Sequence, residues 1–107
     1  MARKVIWAPR AIALLAEAAT HIENDSPQAA RAVVADALEA AASLSKLSDR
    51  GRAVPELRNE SHRELFVGNY RLIYRVAGDV VHIVAFVHGS RDFRSWWKRS
   101  RRNTAPN

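Results

Sequence analysis

The chain has 107 residues, room for one domain with a single modest core. It has no cysteine, which excludes a disulfide framework or a thiolate zinc site and suits a reducing compartment. The formal net charge is +6, and it is unevenly placed: residues 1–48 are balanced, whereas Arg91, Arg94, Lys98, Arg99, Arg101 and Arg102 stand against Asp92 alone. Arginine dominates the basic residues, so the basic end expects a polyanion or an acidic protein.

In chain order, Arg3 to Trp7 reads as a first strand, and Pro9 fits the first turn of a helix, where its missing N–H costs nothing. Ile12, Leu15, Ala19 and Ile22 recur at helical spacing. Asn24 to Pro27 breaks that helix, and Ser26 followed by Pro27 predicts the N-cap and first residue of a second. Its apolar stripe is Val34, Ala37, Leu38, Ala41, Leu44 and Leu47. Two helices with so short a link must pack antiparallel. A charged crossing segment from Ser48 to about Ser61 follows. The period then changes to that of strands over Arg63–Val67, Tyr70–Val76 and Val80–His88, separated by the turn dipeptides Gly68-Asn69 and Gly78-Asp79.

With two-residue turns, Val67 faces Tyr70, Leu65 faces Leu72, Val76 faces Val81, Tyr74 faces Ile83, and Leu72 faces Ala85. That apolar face is expected to carry the helix pair. The fold class predicted is α+β, a two-helix hairpin on one face of a small antiparallel sheet in the order β-α-α-β-β-β. The other face gathers Glu64, Phe66, Arg71, Ile73, Arg75, His82, Val84, Phe86 and His88, too apolar to be left to water. Either the C-terminal segment with Phe93, Trp96 and Trp97 folds over it, or it is a binding surface. A solvated, poorly ordered basic end is expected from Arg99 onward.

The blocks Gly51-Arg52-x-Val54-Pro55-Glu56-Leu57, then Arg63-Glu64-Leu65-x-Val67-x-x-Tyr70-Arg71-Leu72-Ile73-Tyr74-Arg75-Val76, then His88-Gly89-x-Arg91-Asp92 resemble the RelE/ParE toxin superfamily, in its ParE-like branch. The likeness divides the chain into a toxin domain, 1–95, and a basic tail, 96–107. It implies a growth-arresting toxin of a type II toxin–antitoxin, plasmid-stabilisation type module, neutralised by a cognate antitoxin. It also implies one of two targets, messenger RNA cut on the ribosome or DNA gyrase inhibited by binding.

Cleavage through the 2′-hydroxyl needs a base, cations for the phosphorane and an acid for the leaving oxygen. The resemblance makes Arg71 the phosphate-binding candidate, and His88 a candidate acid or base. The family's lysines are missing between Lys46 and Lys98, and no tyrosine follows Tyr74. Glu56 or Glu60 could serve as a base, but pairing of Glu56 with an arginine such as Arg52 or Arg63 is expected instead. The expectation is therefore a binding toxin rather than an enzyme. The surface expected to meet antitoxin or target comprises Phe66, Arg71, Arg75, Phe86, His88, Arg91, Trp96 and Trp97. Asp92 is expected to play a structural part, capping the following turn or pairing with Arg91 or Arg94. His21, His62 and His82 have no metal-ligand spacing, and no cofactor is implied. Met1 to Trp7 is too short for a signal peptide and no apolar run could span a bilayer, so a cytoplasmic protein off the membrane is expected.

Overall fold

The computed structural model describes residues 2–57 and 61–104, with side chains to residue 100. Its elements are β1 (Lys4–Trp7), α1 (Pro9–Glu23), α2 (Pro27–Ser43), β2 (Arg52–Ala53), a 3-10 turn (Pro55–Leu57), β3 (His62–Val67), β4 (Tyr70–Ala77), β5 (Val80–His88) and α3 (Phe93–Thr104). Both helix starts follow their local signals. Pro9 opens α1 after an extended Ala8. Ser26 Oγ accepts the Ala29 N–H at 3.1 Å ahead of Pro27 in α2.

The five strands form one sheet in the order β1-β5-β4-β3-β2. The two predicted hairpins are present, with Gly68 at φ 57° and Gly78 at φ 58°, a backbone region that suits glycine at a tight turn. The sheet is mixed rather than purely antiparallel, because β1 runs parallel to β5. A parallel neighbour cannot be joined by a tight turn, and here everything from α1 through β4 lies between the two paired strands in sequence.

The helix pair lies on one sheet face as predicted. Ala11, Leu15, Ala18, Ala37, Ala41 and Leu44 pack there against Val67, Tyr70, Leu72, Tyr74, Val81 and Ile83. Four of those six helix-side residues are alanines, whose small side chains permit a close approach of the two layers. Three residues of the predicted stripes, Ile12, Leu38 and Leu47, instead remain at least half exposed; the buried face of α1 runs through Ala11, Leu15 and Ala18.

The register departs from expectation at one place. Tyr74 opposes Ile83, but Ile73 opposes Ala85 and Leu72 opposes Phe86, leaving Val84 as an extra residue in β5. This bulge reverses the alternation downstream. Phe86, expected on the outer face, is 1% exposed in the core beneath the helices, stacked on Tyr70 with ring centroids 5.0 Å apart. Ala85 and Val87 take the outer face in its place.

That outer face is covered around Ile73, Ala85 and Val87. Phe93 and Trp96 of α3 pack on Val54, Ile73, Ala85 and Val87, forming a second, smaller core. The expected boundary between residues 95 and 96 thus falls inside α3. The helix also continues past Arg99, with Ser100 buried, so the stretch 99–104 is helical rather than an irregular end.

Candidate functional site

Arg71 sits on the outer face, where alternation along β4 points it away from the helix hairpin. Two carboxylates hold it. Its Nε donates to Glu64 Oε1 at 2.7 Å, and its two terminal nitrogens donate to Glu56 at 2.9 and 2.7 Å. The second of those nitrogens also lies 2.6 Å from Glu64. The ring of Phe93 closes over the guanidinium, 4.5 Å from its carbon to the ring centroid. Glu64 in turn accepts from Arg52 Nε at 2.6 Å, and Arg52 lies over Phe66.

The Arg71 side chain is only 6% exposed and that of Glu64 is fully buried, so these are desolvated charges in a closed network. Hydrogen bonding to Arg71 holds the Glu56 carboxyl below its ordinary range, and Glu56 and Glu64 raise the arginine. Glu56 does pair with an arginine, but with Arg71 rather than with the examples Arg52 or Arg63, and Arg63 donates to the Gly51 carbonyl at 2.8 Å.

Gly51 marks the close approach of the crossing segment to the sheet. A Cβ there would lie 2.6 Å from the Glu64 carbonyl and 2.7 Å from the Tyr74 hydroxyl. Tyr74, wholly buried, accepts the Gly51 N–H at 2.8 Å and donates to the Ser48 carbonyl at 2.9 Å. Burial pushes its phenol pKa up.

His88 occupies the other side of the sheet. It meets Tyr70 edge-on at 5.2 Å, and its Nδ1 accepts the Ser90 N–H at 3.1 Å and lies 2.7 Å from the Ser90 hydroxyl. With Arg91 it borders a cleft of about 310 Å³ beside Leu14, Glu17, His21 and Tyr70. Arg71 and His88, the two groups named for RNA cleavage, are therefore not brought together.

The remaining candidates are dispersed. Phe66 is 59% exposed on β3. Arg75 is half-buried between His62 and His82 in the sheet register. Arg91 is exposed, with its guanidinium 5.8 Å from the Trp96 ring. Trp96 is 6% exposed and belongs to the second core, while Trp97 is half-buried and meets His62 at 5.2 Å. Asp92 caps α3, accepting the Ser95 N–H at 3.4 Å, the first of the two structural parts expected of it. Glu60 lies outside the described residues. No group of histidine and carboxylate side chains among the described residues is placed to hold a metal ion. No described helix is long and apolar enough to cross a membrane.

Residues 5–93 match the family described as ParE toxin of the type II toxin–antitoxin system, parDE. The chain belongs to the ParE toxin family. Toxin RelE2 of Caulobacter vibrioides is 37% identical over 89 residues, covering 82% of this chain and 97% of that protein. The fold is likewise that of a chain from the chromosomal ParDE system of P. aeruginosa. That match has a TM-score of 0.67 at 21% identity and covers 80% of this chain and 95% of the other. Family, fold and the blocks from Gly51 to Asp92 agree, and the match ends as α3 begins.

Sequence reasoning placed Glu64 on the outer face but did not recognise it as the partner of Arg71. The signal was available, since Glu64 is one row from Phe66, which stands directly opposite Arg71, and a diagonal neighbour on the same face is within reach of a long side chain. Arg10 was missed as well. It donates to Ser100 Oγ at 2.8 Å and stacks on Trp96, tying the start of α1 to α3, and no periodicity reports such a contact.

Proposed function

We propose that the protein is a growth-inhibiting toxin that acts by binding and inhibiting DNA gyrase, and that a cognate antitoxin neutralises it. The observation carrying the binding mode is the closed network around Arg71. A guanidinium already paired with Glu56 and Glu64 has its charge compensated and its donors engaged, so it offers little to a scissile phosphate. The candidate acid or base, His88, stands on the opposite sheet face with Nδ1 engaged by Ser90. A toxin that works by binding needs neither group in a catalytic role.

The antitoxin follows from family membership and from the solved relative, which comes from a ParDE system. The proposed contacts with antitoxin or target keep the accessible members of the sequence-derived set, in two places: Phe66, Arg75 and Trp97 on the α3 side of the sheet, and His88 with Arg91 at the cleft beside α1. Phe66 is the apolar anchor of the first, a large exposed ring backed by Arg52. Phe86, Arg71 and Trp96 support these contacts from within.

Adding purified toxin to a gyrase supercoiling reaction tests the target. Dose-dependent loss of supercoiling is expected, and supercoiling unchanged over a wide concentration range would reject gyrase. The name of the 37% identical relative, Toxin RelE2, favours a second reading, a ribosome-dependent endoribonuclease. Primer extension on messages from induced cells separates the two: new 5′ ends on induction would favour cleavage, and their absence would remove that second reading.

A further inference from the structure

The charge of α3 has no part in the function proposed above. We propose that the exposed face of this helix, continued by the sheet row beside it, binds the phosphate backbone of nucleic acid without sequence preference. The helix has two faces with separate roles. Phe93, Trp96 and Ser100 are buried, whereas Arg94, Lys98 and Arg99 are exposed, with exposed Arg91 just before the helix. The carboxylate of this segment, Asp92, is engaged in capping the helix.

The positive surface extends past the helix. Trp97 touches His62, and from His62 the register runs straight across the sheet through Arg75 and His82, both half-buried. Arg10 adds a guanidinium next to Ser100, and no carboxylate pairs with it among the described residues.

Three kinds of polyanionic partner could meet such a face, and the packing discriminates between them. An anionic membrane recruits a basic amphipathic helix through its apolar side, but the aromatic side of α3 is consumed by the second core. A protein interface needs an apolar centre that desolvates; the one proposed above is Phe66 on β3, and none of the large exposed hydrophobic residues, Ile6, Ile12, Leu38, Leu47 and Phe66, lies on α3 beside Arg94, Lys98 and Arg99, which that interface does not use. Nucleic acid requires only cations held at fixed positions, because counterion release along the backbone supplies the affinity. A helix anchored by two buried aromatic residues holds them so. Like-charged neighbours such as Arg94 and Lys98, four residues apart, repel within the free helix, and an anion laid across them relieves that repulsion.

The test is fluorescence anisotropy on the full chain with a labelled duplex of about 20 base pairs and arbitrary sequence, between about 50 and 200 mM salt. A parallel arm uses single-stranded RNA of the same length, to distinguish which nucleic acid supplies the backbone. Dissociation constants of roughly micromolar order and a steep salt dependence are expected. The triple variant Arg94→Gln/Lys98→Gln/Arg99→Gln should bind at least about tenfold more weakly. It should also reduce the slope of log K against log salt by about two to three, at about 0.9 per phosphate contact. The charge-matched variant Arg31→Gln/Lys46→Gln/Arg50→Gln, on the helix-hairpin side, should retain most of the affinity. Circular dichroism confirms that both variants fold, since all six positions are exposed. The proposal is overturned if neither nucleic acid binds at low salt, if the two triple variants weaken binding equally, or if polyglutamate binds as tightly as the duplex with the same salt slope. Neither gyrase nor ribosome is present, so the outcome is independent of the target.

Discussion

At the scale of single residues, Arg71 decides most. A buried arginine in an apolar sheet is costly unless every charge around it is paired. Here Glu56 and Glu64 supply that pairing, and Arg52 completes the charge on Glu64. Removing one partner of such a group costs about 3–5 kcal/mol, because the charge left behind stays buried. Arg71→Ala should therefore lower the urea midpoint strongly, and Arg71→Lys should not restore it, since an ammonium cannot reproduce the two-pronged contact with Glu56. Acid dependence follows from the same contact. The Glu56 pKa is depressed in the folded state, so its stabilisation is present above the ordinary glutamate value, about 4.3, and is lost as pH falls through the lowered one. Thermal melts across that acid range should show less pH dependence in Glu56→Gln than in the parent chain. Gly51→Ala should destabilise by about 1–3 kcal/mol, since its Cβ would meet the backbone carbonyl of Glu64 as well as the Tyr74 ring.

Among the elements, β5 and α3 differ most from their sequence reading, and for connected reasons. A strand with one solvated face alternates, but Ala85, Phe86 and Val87 are all buried because the hairpin of helices covers one side and α3 the other. A continuous apolar run carries no alternation, so nothing in it reveals that Val84 is an added residue. The aromatic cluster of α3 was legible as material able to fold over the sheet. Its continuation through Arg99 was less so, because a cationic run also suits a solvated end. Trp96→Ala should cost about 3–5 kcal/mol by emptying the second core, and Trp97→Ala distinctly less, since Trp97 is half-exposed. Comparing the two denaturation curves checks whether α3 is integral to the fold. By contrast the start of α2, read from Ser26 and Pro27, needed no tertiary information.

For the whole molecule, two cores share one sheet, and the question becomes which of the predicted binding residues are surface and which support it. Phe66→Asp, at an exposed position, should leave stability within about 0.5 kcal/mol and weaken antitoxin capture at least tenfold. Phe86→Asp should unfold the chain before any binding is measured, because the ring is 1% exposed against Tyr70. Isothermal titration with the antitoxin, preceded by a thermal melt of each variant, distinguishes these outcomes. Equal losses of affinity in variants that remain folded would move the interface away from Phe66.

By itself the sequence determined what depends on neighbours along the chain. Periodicity and proline placement set the helices, the Gly-Asn and Gly-Asp dipeptides set the hairpins, and the blocks from Gly51 to Asp92 carried the family. Only the tertiary structure decided the bulge at Val84, the parallel pairing of β1 with β5, and the capture of Arg71 by Glu56, 15 residues away. Those are choices among alternatives of similar local energy, settled by which groups meet once two layers have closed on the sheet. The arginine that could have faced a substrate was instead sealed beneath Phe93, by contacts that no local pattern encodes.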